Sequence, residues 1–335
     1  MGFIYYARKV DDYFFENNYL IPHENISLSK NGETEEGPPE EWDKLLQFAK
    51  EYSKKDLSDK SIYEEIKNYL DIDSFIEFFA TGIYISIGDW PLRNSGEWRN
   101  IGEKQRGNKY SDGKWRFTIF DLDYTMGNEF GGVGNAASDN FKFIEEKNMY
   151  PSNLFTNLLK KNTEFQNKFI NIYCDYANEV YNFIKVNELI KQYKENMLDA
   201  VAYSQLRWWG WGSKLEGFSN YRKIYLQALD TISDFFEKRP QYTLQYMKDF
   251  LGLKGNLVDI TIEIRGKGKV QINSIIPKYS EGIWTGKYFS RIPISLKAIP
   301  EVGYNFKEWG GFMISNQQNE EIVVNDSETI IAFFD

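Results

Sequence analysis

Two short stretches hold most of the residues able to do chemistry. Asp89-Trp-Pro-Leu-Arg-Asn94 sets a carboxylate and a carboxamide five positions apart in a run rich in turn formers. Lys114-Trp-Arg-Phe-Thr-Ile-Phe-Asp121-Leu-Asp123-Tyr-Thr-Met-Gly127 ends an apolar segment on two further carboxylates. Carboxylate and amide oxygens suit Mg²⁺, and an aspartate beside a hydroxyl can accept its proton. That combination is the minimum for aiming a hydroxyl at a nucleotide phosphate, because phosphoryl transfer asks a protein mainly for positioning and charge neutralisation. Other chemistries have little to work with. Cys174 is the only cysteine and His23 the only histidine, so thiolate clusters, intrachain disulfides and His-ligated metal sites are set aside. Cys174, flanked by Tyr173 and Asp175, reads as a small core residue.

The Asp-x-x-x-x-Asn spacing of Asp89 and Asn94 is that of a protein-kinase catalytic loop, with Asp121 where the metal-binding aspartate would follow. Read alone, Gly88-Asp89, Pro91 and Asn94 also make an ordinary turn, and Asp121 with Asp123 a solvated strand end. Context favours chemistry: an apolar helix precedes the first motif, and two acids on alternate residues repel unless a cation or base lies between them.

The elements that must position these groups follow from periodicity. Residues 3–21 are strand-rich in composition, and 27–41 read as a polar, acidic connector. Trp42, Leu45, Leu46 and Ala49 share a helical face. Ser61 with Glu64 forms a capping-box pattern for a helix carrying Ile62, Ile66, Tyr69 and Leu70, and Asp73 or Ser74 opens a buried helix to about Ile85. Lys114 to Phe120 reads as a buried strand. Further apolar stripes run through Leu154, Phe165, Ile172 and Leu189, with a last helix at roughly 218–237. Beyond 252–256, alternation at Val258, Ile260, Ile262 and Ile264, and again at Ile294, Leu296 and Ala298, predicts a small β domain.

These residues resemble a family. Asp89-Trp-Pro-Leu-Arg-Asn94 and the Asp121-Leu-Asp123 segment look like the paired motifs of the CotH family of atypical, secreted or spore-coat protein kinases. Ser74-Phe-Ile-Glu-Phe-Phe-Ala, Arg207-Trp208 and Phe235-Phe-Glu-Lys-Arg239-Pro240 support it, and the resemblance covers about residues 3–253. It implies an α+β, protein-kinase-like fold: a remnant of an N-terminal lobe and connector at 1–41, a mostly helical C-lobe at 42–253, and an all-β module at 257–335. That module resembles β-repeats of bacterial surface proteins, with its Trp and Tyr residues in its own core. The implied activity is ATP- and Mg²⁺- or Mn²⁺-dependent transfer to Ser or Thr hydroxyls of a coat or surface protein, basic acceptors included. Asp89 would be the catalytic base, Asn94 and Asp121 would bind metal and nucleotide, and Asp123 would support the metal. The implied location is the spore coat or cell surface.

The chain also departs from the family pattern. Only about 20 residues, including Gly2-Phe-Ile-Tyr-Tyr-Ala-Arg-Lys-Val-Asp-Asp, resemble the end of an N-terminal lobe, and Arg8-Lys9 stands where the family tends to have a glutamate. The start at Met1-Gly-Phe-Ile-Tyr-Tyr reads as the interior of a strand, which leaves two readings open: an upstream portion of the lobe is absent, or the chain is a degenerate member of the family. A phosphate-contacting lysine would then be missing too. The competing reading is a non-catalytic adhesin or scaffold with a structural cation at Asp121 and Asp123. Arg99, Lys104, Arg106 and Lys109 read as solvated loop charges or as contacts to substrate or phosphate. Trp208, Trp209 and Trp211 read as a packed cluster with Arg207 buried against an acid, ahead of a sugar-stacking face.

Composition bounds the partners. The net charge of −9 argues against nucleic acid, and the most apolar stretch, 75–87, is too short for a bilayer and carries Glu77. At 335 residues and 17% aromatic content, the chain can fill more than one substantial core.

Overall fold

An Asn-Gly dipeptide starts the first sheet. In the computed structural model, which describes residues 25–209 and 214–335, β1 (Ile26–Lys30) and β2 (Glu33–Glu36) form a hairpin where the sequence reads as a connector. Asn31 and Gly32 both take positive φ, 54° and 82°, the combination a type I′ turn needs and Asn-Gly supplies without strain. The strand-rich 3–21, Arg8-Lys9, His23 and Trp211 lie outside the described residues. The chain divides into two compact units: residues up to 169 together with 249–251, and 170–248 together with 252–335.

In the first unit the hairpin joins β3 (Ser95–Asn100) and β4 (Arg116–Ile119) in an antiparallel sheet of order β2-β1-β3-β4. Three helices precede β3. In α1 (Pro39–Tyr52), proline and glutamates open the helix and Trp42, Leu45 and Ala49 are buried. In α2 (Lys60–Tyr69) the cap is Asp59 and not Ser61: the Asp59 carboxylate accepts from the Ser61 N–H at 2.7 Å, leaving Ser61 inside the first turn. Asp71 likewise caps α3 (Ile72–Tyr84), one to two residues ahead of the start read from the pattern. α3 is buried almost all round. Phe79 stacks on Phe155 at 3.8 Å, and Phe75 and Phe78 reach Phe117 of β4 at 4.8 and 5.5 Å. The partner rings extend to α4 (Asn140–Lys147), α5 (Ser152–Lys161) and the start of α6 (Thr163–Asp175), through Phe141, Phe155, Phe165 and Phe169.

The second unit holds the end of α6, a π-helical turn (Tyr176–Val180), α7 (Phe183–Trp209) and α8 (Lys214–Leu251) up to Lys248. α8 runs well past the expected stop at 237 and carries Pro240 inside it. Proline removes one helical hydrogen bond, but buried Phe235, Phe236, Leu244 and Met247 hold both sides of the break in place. Arg207 and Trp208 are not packed as the sequence reading has it. Both are exposed, Trp208 at 73%, with the guanidinium stacked 5.0 Å from its indole centroid. The all-β region comprises β5 (Leu257–Arg265), β6 (Gly268–Ile272), β7 (Ile283–Phe289), β8 (Ile294–Pro300), β9 (Phe306–Gly311), β10 (Asn319–Ile322) and β11 (Glu328–Phe334). They form sheets of order β10-β8-β6 and β7-β5-β11-β9, the β5–β11 pair being parallel. Val258, Ile260 and Ile262 point inward as the alternation requires, with Trp309 and Tyr288 fully enclosed. Cys174 is buried, and burial pushes its thiol up, as expected for an inert core residue. Beside it, the Asp175 carboxylate accepts from the Ser274 N–H and hydroxyl at 2.8 and 2.6 Å and from Tyr288 Oη at 2.7 Å. Burial still pushes Asp175 up to about 6.

One buried acid in the first sheet makes stability depend on pH. Glu97, on β3 and only 2% exposed, accepts a hydrogen bond from Ser29 Oγ of β1 at 2.7 Å, and burial pushes it up from 4.5 to about 7. The folded state therefore holds this proton more tightly than the unfolded chain. The stabilisation is present below about pH 4.5 and is lost as pH rises through the folded value. Glu97→Gln is expected to be close to neutral in denaturant melts at pH 4.5. At pH 8 it should gain about 3 kcal/mol over the native protein, flattening the pH profile.

Candidate active site

The Asp89 loop is anchored by its neighbour. Trp90 is buried and sits 4.8 Å from Phe78 and 5.2 Å from Phe79, with its six-membered ring against Gly82 of α3. A Cβ at Gly82 would come within 2.6 Å of the indole, so the close approach requires glycine there. With Trp90 driven into the core, Asp89 is left half-buried at the start of the loop.

That loop is sewn to the Asp121 loop along their backbones. The Gly88 N–H donates to Tyr124 O at 3.0 Å, and Ile85 O accepts from the Met126 N–H at 3.1 Å and from the Thr125 hydroxyl. Ser86, left-handed at φ 62°, donates to Asn140 Oδ1 at 2.7 Å and accepts from the Gly134 N–H at 2.9 Å. The Phe120 N–H, one residue before Asp121, donates to Asn94 O at 3.0 Å. Main-chain bonds therefore fix the spacing of the two motifs, although the sequence places them 27 residues apart between Asn94 and Asp121.

Asp89 and Asn94 meet directly: Asn94 Nδ2 donates to Asp89 Oδ2 at 2.6 Å. The other oxygen, Asp89 Oδ1, is buried with no hydrogen-bond partner among the described residues. Burial raises the Asp89 carboxyl above the usual carboxylate range. Hydrogen bonds from its own backbone and from Asn94 oppose this, while the negative charges of Asp123 and Asp121 add to it. Those two carboxylates thus lie close enough to act on Asp89, but both are exposed, with Asp121 left-handed at φ 52° two residues past the end of β4. Among the described residues none of the three forms an ion pair with lysine or arginine.

Chemically, a half-buried carboxylate with a raised pKa and an unpartnered oxygen can receive a hydroxyl proton. Asn94 spends its amide N–H on Asp89, so its Oδ1 is the atom left to accept, and with Asp121 and Asp123 it makes a set of hard oxygen donors. Among the described residues, no three His, Cys, Asp or Glu side chains converge on a metal position. A Mg²⁺ that is completed by phosphate oxygens and water needs only one or two carboxylates from the protein, and the donor set fits that requirement.

Two features differ from the sequence reading. Arg99 lies on β3, paired with Glu41 of α1 and 5.3 Å from the Trp115 ring, so it is part of the sheet's packing and not a loop charge. Lys104, Arg106 and Lys109 are exposed. The residue the motifs did not point to is Asn31, whose Oδ1 accepts the Asn94 N–H at 2.7 Å. Its only sequence signal is the Asn-Gly turn dipeptide.

Residues 4–243 match the family model described as CotH kinase protein. No curated protein and no solved structure matches the chain. The seam between the two loops can be tested at Gly88, where an added Cβ would meet Phe130 O at 2.5 Å. Gly88→Ala is expected to force the loops apart, lowering stability by roughly 1–3 kcal/mol in urea melts and speeding proteolysis within 120–134.

Proposed function

The chain belongs to the CotH kinase protein family, and on that premise we propose that it transfers the γ-phosphoryl group of ATP to Ser or Thr hydroxyls of a coat or surface protein, basic acceptors included. The observation that carries this reading is the 2.6 Å contact between Asn94 Nδ2 and Asp89 Oδ2, with Asp89 Oδ1 buried beside it and without a hydrogen-bond partner among the described residues. Asp89 Oδ1 receives the proton of the acceptor hydroxyl as that oxygen bonds to the γ-phosphorus and the bond to the β-phosphate oxygen breaks. The raised pKa of Asp89 makes it a better proton acceptor than an ordinary carboxylate. Asn94 and Asp121 hold the metal and nucleotide, and Asp123 supports the metal. Bound Mg²⁺ or Mn²⁺ supplies neutralisation of the charge on the β- and γ-phosphates. In this proposal the kinase-like region is 42–253, following the 1–41 remnant, and the β module at 257–335 takes no part in the chemistry. The spore coat or cell surface is the proposed location. Among the described residues no helix is long and apolar enough to cross a membrane.

The test is label transfer from ATP to a basic acceptor protein in Mg²⁺ or Mn²⁺. Asp89→Asn is expected to lower kcat by about 10²- to 10⁴-fold, the usual contribution of a positioned base. Asp121→Ala should abolish transfer and the metal-dependent thermal shift with nucleotide. A native protein that neither transfers label nor is stabilised by nucleotide is a scaffold, and the enzymatic reading is then wrong.

A further inference from the structure

We propose that Asn31, at the tip of the β1–β2 hairpin, is a positioning residue for the candidate site: its side chain holds Asn94 in the conformation from which one carboxamide serves both Asp89 and the cation. This rests on the phosphoryl-transfer reading for its functional meaning, but the geometry stands apart from it. Asn94 is left-handed at φ 56°, a region asparagine tolerates better than most residues but which still needs its neighbours to hold it. Two hydrogen bonds hold its own backbone, and a third holds the Ser95 carbonyl that follows it. Asn31 Oδ1 accepts the Asn94 N–H at 2.7 Å, the Asn31 N–H donates to Ser95 O at 3.0 Å, and Asn94 O accepts the Phe120 N–H at 3.0 Å. The peptide groups on both sides of Asn94 are therefore tied, one to the hairpin tip and one to the chain entering Asp121. Only the side-chain torsions of Asn94 stay adjustable, and its Nδ2 is already on Asp89 at 2.6 Å.

The hairpin reaches Asn94 because strand pairing takes it there. The β1–β3 register sets Lys30 opposite Gly96 and Ser29 opposite Glu97, and the buried Ser29–Glu97 hydrogen bond pins that register. A tip residue one step beyond Lys30 then falls opposite Ser95, from where its side chain reaches the Asn94 N–H. The turn itself does not require the Asn31 side chain, since glycine serves equally well at a positive φ in this turn type. What glycine lacks is the acceptor for the Asn94 N–H.

Asn31→Gly therefore separates the clamp from the hairpin, and Asn31→Asp restores an acceptor. Three quantities decide the matter: amide hydrogen exchange at Asn94, Tm, and the Mg²⁺ concentration for half-maximal transfer. Asn31→Gly is expected to speed Asn94 exchange roughly three- to tenfold, the factor one hydrogen bond commands, and to raise the Mg²⁺ requirement by a similar factor. Tm should stay within about 4 °C of the native protein. Asn31→Asp should return Asn94 protection toward native. Unchanged exchange at Asn94 in Asn31→Gly overturns the clamp, and faster exchange with an unchanged Mg²⁺ requirement overturns its positioning role. If the native protein transfers no phosphoryl group, the phosphoryl-transfer reading fails by itself, and the exchange measurement still decides whether Asn31 holds Asn94.

Discussion

The backbone hydrogen bonds between residues 85–94 and 120–126 are the constraint on which the rest of the candidate site depends. Side chains such as Asp89 and Asp121 repel each other, and neither has a basic partner among the described residues to draw it into place. What holds them near one another is main chain: Gly88 to Tyr124, Met126 to Ile85 and Phe120 to Asn94. Each of these groups would otherwise have to find another partner on leaving water, so the seam is favoured whatever the side chains carry. Burial of Trp90 over Gly82 then fixes the orientation of the first loop, because a large ring in a packed core has few alternative positions.

The electrostatics follow from that imposed proximity. Three acids share one region, and Asp89, the least exposed of them, is raised above the usual carboxylate range chiefly by its burial, with the charges of Asp123 and Asp121 adding to it. The Asn94 amide relieves it only in part, by donating to one of the two carboxylate oxygens. Under the proposed phosphoryl transfer, a cation, or a proton taken from a hydroxyl, would relieve the remainder. The same balance of burial against hydrogen bonding recurs elsewhere in the chain. Glu97 and Asp175 are buried more deeply, but Glu97 accepts from Ser29, and Asp175 from Asn273, Ser274 and Tyr288.

Much of this was legible in the amino-acid order because it depends on neighbours in the chain. The apolar face of α1, the all-round burial of α3 and the inward alternation of β5 and β8 are periodic patterns within single elements, and the pattern alone decides them. The identities and spacings of Asp89, Asn94, Asp121 and Asp123, and with them the family, were likewise readable from the sequence. Cap choice was less so: Asp59 and Ser61 both suit an N-cap, and only the backbone path of α2 decided for Asp59. Pro240 would ordinarily end a helix, and it was burial on both sides of it that kept α8 continuous.

What the tertiary structure alone decided is non-local. Ser29 meets Glu97 across 68 positions, and Asn31 meets Asn94 across 63, through the register of a hairpin that its polar composition disguised as a connector. Arg99 turned out to belong to the sheet, and Trp208 to the surface, because their surroundings come from distant parts of the chain or are absent altogether. A linear pattern records what each residue prefers beside its neighbours, whereas strand pairing and loop seams are chosen by the free energy of the whole unit, where a partner 60 residues away counts as much as one four residues away.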